Sequence, residues 1–384
     1  MIRILYISHE GHEILGSTLS LANHLHALRH EVEPFVVLPC EGAPAEYLRS
    51  LGYDVMVIPF KLNVAPPEYQ WIKRIPRKVW DSWVNYRACQ RLSPVIQERG
   101  IQVIHTNTSV TLFGYQLQQH LANKVFIPHV WHLREFQDLD FGLEPFCGWK
   151  ELRSMVNRSQ AIVGITQAIL DHYVTPEGKP HAFLLNDAVR SKDQIGVADK
   201  EPYLLFCGKV IPEKGAELAL DIFAAVHRMH PDYRLKYAGA ITHEYQQILA
   251  QKAEQLGVAA YVAFLGFQSD IRPVMEHASA LLMCSRNEAQ GRVTIEAMFY
   301  GTPVVAMAAG GTLEIVRHQA NGLLFHTTEE AIQHVCHLLD DPLFSKRLIE
   351  GAHQTALSRF SEEVYCQQML SIYQSVQVSD FRNS

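Results

Sequence analysis

The sequence predicts an α/β protein made of two doubly wound domains with parallel sheets. Three observations carry that expectation. The chain has 384 residues, too many for one ordinary domain and comfortable for two. Short apolar runs without polar alternation recur at 2–7, 32–38, 55–59, 103–105, 161–164, 203–206, 235–238, 262–265, 280–283 and 304–306. Amphipathic helical patterns fall between many of them, as at 19–28, 216–229 and 244–256. Unalternating strands separated by helices are the signature of parallel sheets covered on both faces.

Composition sets the outer limits. Hydrophobic residues make up 48% and charged residues 19%, as in ordinary soluble globular proteins. The formal net charge of −6 gives no reason to expect nucleic acid. Cys40, Cys89, Cys147, Cys207, Cys284, Cys336 and Cys366 are odd in number, scattered and free of CxxC spacing. That argues against a disulfide framework or a structural zinc site and fits a reducing cytoplasm. The run 2–7 is followed at once by His9, Glu10 and Gly11, so it reads as a first buried strand rather than a signal peptide. No apolar stretch of about 18 residues is present to span a membrane.

The polar stretch 190–201 (RSKDQIGVADKE) is the linker candidate, giving expected domains at 1–195 and 196–361. A last helical pattern at 362–376 carries an apolar stripe of Val364, Met369, Leu370, Ile372 and Tyr373. Such a stripe needs a partner surface, and this helix, 362–378, is expected to pack back on the N-terminal domain.

Ligands of parallel sheets bind outside the carboxyl ends of the strands, so the turns after each strand are the places to search. Three in the C-terminal half carry chemistry. After 280–283 comes Glu288-Ala-Gln-Gly-Arg-Val-Thr-Ile-Glu296-Ala-Met, then Tyr300-Gly-Thr-Pro-Val-Val. Gly291 lets the backbone approach a ligand closely. A helix beginning near Arg292 offers free N–H groups and a positive dipole end to an anion. Glu296 sits about one turn inside, where a carboxylate accepts both hydroxyls of a ribose. After 203–206 comes Gly208-Lys209-Val-Ile-Pro-Glu-Lys214-Gly215, two lysines on a glycine-bearing backbone that suit a diphosphate. After 304–306 comes Gly310-Gly311-Thr-Leu-Glu314. Any one of these also reads as a helix start with a solvated charge; three in one half, all after strands, make that reading much weaker.

These residues resemble the retaining GT-B glycosyltransferases of family 4, of the bacterial surface-polysaccharide type. The Glu288/Glu296 pair, the flanking Glu-Ala-Met and Gly-Thr-Pro-Val-Val, the Gly-Lys-x4-Lys-Gly turn and the Gly-Gly-x-x-Glu turn carry the resemblance. Leu265-Gly266-Phe267 before Asp270 is similar to the family's base-contacting segment. The resemblance covers nearly the whole chain and implies two Rossmann-like domains facing across a cleft. It implies that Glu296 binds the ribose and that Glu288 holds hydroxyls of the donor sugar. Lys209 and Lys214 would neutralise the diphosphate, and backbone N–H groups around Gly291, Arg292 and Val293 would cradle phosphate and sugar. The family usually has arginine at the position of Lys209; lysine is a point charge rather than a bidentate fork, which touches donor affinity or leaving-group stabilisation.

The N-terminal half is expected to hold the acceptor. Its first turn ends in Gly16-Ser17-Thr18 before a helix, and the resemblance makes Gly16 and Ser17 a turn that closes on the donor phosphates. His9 and His12 lie beside glutamates, but the spacing is not HExxH and no metal is expected. Ile104-His105-Thr-Asn107-Thr108 ends another strand and reads either as a hydrogen-bonded turn or as an acceptor contact through His105 and Asn107. Pro128-His-Val-Trp-His132-Leu-Arg134-Glu135-Phe reads as a polar run that follows a strand, and it is similar to bacterial family segments at the cleft. The resemblance gives His132 a contact to the donor sugar or the acceptor, and Arg134 and Glu135 an orienting or acceptor-side role. Asp138-Leu-Asp140 is formally a DxD; a loop carboxylate pair is the preferred reading, because the lysines already answer the phosphate charge. The stretch 61–92 gathers Lys61, Lys73, Arg74, Arg77, Lys78, Arg87 and Arg91 with Trp71, Trp80 and Trp83. That is either a solvated helix or an interfacial face for an anionic membrane, peripheral on its inner surface.

No Ser-His-Asp or Cys-His nucleophile set is apparent, and no second carboxylate is placed for a covalent sugar intermediate. Together with this, the resemblance implies metal-independent transfer from a UDP- or GDP-sugar to a glycan or lipid-linked acceptor. The leaving phosphate takes the acceptor's proton, and retention of configuration comes from the resemblance alone. The alternatives are a sugar phosphorylase or epimerase on the same fold, or an inert partner subunit.

Overall fold

The computed structural model describes residues 1–14, 16–66, 71–139, 141–189, 195, 198–286, 288 and 290–378, the side chains of 71–75 excepted. The chain divides into two compact units, Met1–Ala188 with Tyr365–Ser384, and Val189–Val364.

The first unit contains β1 (Ile2–Ile7), β2 (Val32–Leu38), β3 (Asp54–Val57), β5 (Val103–Thr106), β6 (His129–Leu133), β8 (Ala161–Gly164) and β9 (Ala182–Leu184). They form one sheet in the order β3-β2-β1-β5-β6-β8-β9, every pairing parallel. β5, β6 and β8 are buried at every position, which is why their sequences do not alternate. A two-stranded antiparallel ladder, β4 (Val64–Ala65) with β7 (Glu144–Pro145), stands apart. The chain winds outward from β1 to β3, then returns to β5 and winds the other way, so strand order reverses between β1 and β5.

The second unit repeats the plan with β10 (Glu201–Cys207), β11 (Arg234–Ala238), β12 (Val262–Gly266), β13 (Ala278–Met283), β14 (Val304–Met307) and β15 (Leu323–Phe325). The order is β12-β11-β10-β13-β14-β15, again all parallel, and it reverses between β10 and β13. The helix Ala216–Met229 covers one face with an apolar stripe of Ala219, Leu220, Ile222, Phe223 and Val226, all buried. Thr242, Thr327 and Asp341 cap the helices that follow them, each side chain accepting from a backbone N–H three residues on.

The helix Glu362–Val378 buries Tyr365, Met369, Ile372, Tyr373 and Val376 among Ile4, Tyr6, Leu21, Leu25 and Val36 of the first unit. The spacing 365, 369, 372, 373, 376 is one helical face; of the expected stripe, Val364 and Leu370 lie to its sides. No described helix is long and apolar enough to cross a membrane.

One expected local structure is corrected. The run 128–136 does not follow a strand; residues 129–133 are themselves β6, paired with β5 and β8. Its two histidines interrupt the apolar signal by which the other buried strands are recognised, and their burial is made possible by a polar network described below.

Candidate functional site

In the second unit, the three turns singled out in the sequence lie together where strand order reverses. The Gly208–Gly215 turn leaves β10, and Glu288 follows β13, the strand next to it. Lys214 Nζ donates to both carboxylate oxygens of Glu288, at 2.8 and 2.9 Å. Gly215 makes this closure possible. Its φ is +74°, and a Cβ there would stand 2.4 Å from the carbonyl oxygen of Cys284, so only glycine fits. The third turn docks on the first: Gly311 N donates to Glu288 O at 2.7 Å, and a Cβ on Gly310 (φ +54°) would lie 3.0 Å from the Glu288 backbone.

Gly291, also left-handed at φ +80°, starts the helix Arg292–Phe299 beside the Glu288 side chain. A Cβ on Gly208 would reach Val293 Cγ2 at 4.0 Å, so the lysine-bearing turn and this helix start are neighbours. Arg292 and Glu296 form an i,i+4 pair at 3.6 Å. Glu296 also lies near Cys207 at the end of β10; burial first, and the Glu296 charge second, push the Cys207 thiol up to about 12. Lys209 is exposed. Gly266 ends β12 at φ +67° and Phe267 projects outward, 74% exposed, which suits an aromatic face waiting for a planar ring.

Sequence reasoning passed over Gln290, Thr294 and Thr312. Their side chains are buried, and the Gln290 amide and both hydroxyls lack partners among the described residues. Gln290 lies within the Glu288–Glu296 motif itself; its burial, which the sequence did not signal, is what sets it apart.

The first unit places its candidates differently. Glu10 sits at the start of the helix Gly16–Ala27: its carboxylate accepts from Ser17 Oγ, Thr18 Oγ1 and, at 2.8 Å, from Thr18 N. Gly16 and Ser17 thus lie at a helix N-terminus already served by an internal anion. Glu135 turns inward, one oxygen accepting from Thr108 Oγ1 (2.6 Å), Ser109 N (2.6 Å) and Ser109 Oγ (2.8 Å). It ties the turn after β5 to the turn after β6. Arg134 is buried and ion-paired with Asp187; its Nε donates to Asn107 Oδ1 at 2.6 Å, and a terminal nitrogen lies 3.3 Å from His132 Nδ1. His105 and His132 are fully buried, with ring centroids 5.3 Å apart. Burial and the Arg134 charge hold both imidazoles well below the usual histidine range, hence neutral. His24, Tyr6, Tyr365 and Tyr373 complete this polar interior; of these Tyr373 alone was singled out from sequence, as part of an apolar stripe.

Of the formal DxD, Asp138 lies 3.1 Å from His172 Nε2, and Asp140 is outside the described residues. Among the described residues no three His, Cys, Asp or Glu side chains gather as metal ligands. In the basic-aromatic stretch, Trp80 and Trp83 stack at 5.1 Å and are more than half exposed, with Arg87 over the Trp83 ring. Lys78 pairs with Glu151 at 3.3 Å and Arg77 with Asp81 at 3.3 Å. The side chains of Trp71, Lys73 and Arg74 are outside the described residues, as is most of the linker candidate.

Two parallel, doubly wound units, one with paired lysine and glutamate at its strand-order reversal, define the class: the fold is that of the GT-B glycosyltransferases. HepE of Anabaena, solved in complex with UDP, superposes with a TM-score of 0.79 at 20% identity, covering 97% of this chain and 100% of that one. TarM of S. aureus superposes at 0.73 with 13% identity, covering 97% of this chain. Residues 188–355, most of the second unit, match the family described as glycosyl transferases group 1. Curated relatives are more distant in coverage. The putative glycosyltransferase EpsD of Bacillus subtilis is 29% identical over 319 residues, 75% of this chain and 80% of that protein. An uncharacterized glycosyltransferase of Methanocaldococcus jannaschii is 26% identical over 226 residues, which span 54% of this chain and 57% of that protein.

Proposed function

We propose that the protein transfers a sugar from a nucleoside-diphosphate sugar to a glycan or lipid-linked acceptor, with retention of anomeric configuration and without a metal cofactor. The observation that carries this reading is the meeting of the Lys214–Glu288 ion pair with the helix start at Gly291, at the strand-order reversal of the second unit. In this reading the diphosphate takes Lys214 from Glu288, which is then free to accept hydroxyls of the donor sugar. Lys209 adds charge from the exposed rim. Backbone N–H groups from Gly291 to Val293 meet the phosphates, and Glu296 accepts the ribose hydroxyls. Phe267 stacks on the base. Uridine is favoured because HepE has been solved with UDP and with UDP-glucose. The protein's contribution is positioning and electrostatic stabilisation of the departing diphosphate, which itself takes up the acceptor's proton. His132, His105, Asn107 and Arg134 in the first unit address the acceptor or the transferred sugar.

The exposed Trp80–Trp83 stack and its flanking arginines support a further part of the reading, docking of this face on an anionic membrane to reach a lipid-linked acceptor. Co-sedimentation with phosphatidylserine or phosphatidylglycerol vesicles at low salt is expected, and Trp80→Ala with Trp83→Ala should abolish it.

The activity is tested by offering UDP-glucose and UDP-galactose with a panel of glycan and prenyl-phosphate acceptors and following UDP release and product. Transfer with an α-configured product from an α-configured donor, unaffected by a chelator, supports the proposal. An inverted product, activity restored only by manganese, or sugar release driven by free phosphate would each replace it.

A further inference from the structure

The polar interior of the first unit has a direction, and it is set by the C-terminal helix. Arg134 has only protons to give. It donates to Asn107 Oδ1 and faces His132 Nδ1 and the Tyr365 hydroxyl. A tyrosine has one proton. Accepting from Arg134, Tyr365 spends its own on its remaining neighbour, His24 Nδ1 at 2.5 Å. Neutral His24, accepting at Nδ1, carries its proton on Nε2 and donates it to Tyr373 OH at 3.2 Å. Tyr373 also lies 3.1 Å from Tyr6 OH and 2.8 Å from His105 Nδ1. The nitrogen of His105 is the better acceptor and the shorter contact, so Tyr373 donates there and Tyr6 donates to Tyr373. His105, accepting at Nδ1, must then carry its proton on Nε2. By the same rule His132, accepting from Arg134 at Nδ1, carries its proton on Nε2.

The atoms this leaves without partners are His105 Nε2, His132 Nε2 and Asn107 Nδ2, all on buried side chains. Every one of them is a donor. They are also close: Asn107 continues β5 directly opposite His132 in the register that pairs Thr106 with Trp131, and the two imidazoles are 5.3 Å apart. Three buried donors without an acceptor are costly to leave unpaired, and they are matched by a ligand that offers oxygens and no protons at those points.

We infer that Tyr365 and Tyr373 of the helix Glu362–Val378 are positioning residues that fix the tautomers of His24 and His105, so that His105, His132 and Asn107 present a donor-only site to oxygen lone pairs of the sugar or acceptor. The inference rests on the proposed transferase reading for the identity of the ligand, though not for the tautomers. The C-terminal helix is thereby part of the site's chemistry as well as of its packing.

Imidazole 15N spectra of the full chain, with Tyr373→Phe as the variant, test it. Phe keeps the ring that meets the His105 imidazole edge-on and removes only the hydroxyl. In the wild type, His105 and His132 should both show the Nε2–H tautomer. In Y373F, His105 should lose its single tautomer while His132 keeps its own. Transfer should fall by about 10- to 100-fold, the cost of a mispositioned polar contact, with UDP affinity unchanged. An Nδ1–H tautomer at His105 in the wild type overturns the inference, and so does an unchanged tautomer and rate in Y373F. If Y373F does not fold, the wild-type spectrum still decides. If no sugar is transferred by any form, the transferase reading fails, while the spectra continue to decide this one.

Discussion

The two units share a topology and differ in what they keep inside. In the second, the core clusters are apolar and the charged chemistry stands at the strand ends, Lys209, Lys214 and Glu288 on turns and Glu296 on the helix that follows. In the first, charge and hydrogen bonding run into the interior: Arg134–Asp187, Glu135, and the fully buried His24, His105, His129 and His132. One unit presents a candidate site built by backbone conformation, glycines placed where turns must close. The other presents a candidate site built by side chains that depend on one another. The first kind is expected to withstand acidification and to fail when a turn glycine or a paired charge is replaced; the second is expected to fail as its neutral histidines are forced to take up protons.

That contrast can be broken experimentally. The largest effect is expected at the turn motif: Glu288→Ala or Lys214→Ala should lower turnover by about 100- to 1,000-fold, the loss seen when an electrostatic stabiliser is removed, while circular dichroism stays unchanged. Gly215→Ala should destabilise the second unit by about 2 kcal/mol or more, because it adds left-handed strain to a backbone clash with Cys284; chemical denaturation reads this directly.

Acidification should strike the other unit. His129 is lowered to about 3 by burial, and His24, His105 and His132 also lie well below the ordinary value. The unfolded chain binds protons that these folded histidines refuse, so their neutral form stabilises the fold fully above the unfolded value of about 6.5 and loses that stabilisation as pH falls below it. In the second unit only His334 and His353 are lowered, and both are partly exposed. Hydrogen exchange from pH 7 to 5 should therefore show β5 and β6 losing protection well before β10 and β13; equal loss in both units would remove the contrast. The smallest effect is expected at Lys209→Arg: a bidentate fork in place of a point charge should tighten UDP binding by a few-fold, about 1 kcal/mol or less at an exposed position.

The same contrast decides what was legible in the sequence. The doubly wound plan could be read because β8 is an unbroken apolar run and β1, β2 and β13 are apolar over most of their length, and the second unit's candidate site could be read because close turns demand glycine at fixed offsets from charged residues. β6 escaped notice because His129 and His132 break its run. Tyr373 was legible only as a packing residue and Tyr365 was passed over: periodicity places a side chain on a buried face and says nothing of the hydrogen bond at its tip. Glu10 and Glu135 looked like ligand contacts, or like nothing, because a carboxylate that caps its own chain has the same spelling as one that awaits a substrate.

The central claim is that the second unit binds a nucleoside diphosphate with its ribose on Glu296. Calorimetric titration with UDP, GDP and ADP, on the wild type and on Glu296→Ala, tests it most directly. The account predicts that UDP binds, that GDP and ADP bind more weakly or not at all, and that Glu296→Ala abolishes UDP binding without unfolding the unit. No binding of any of the three by the wild type, or UDP binding undiminished in Glu296→Ala, would contradict it.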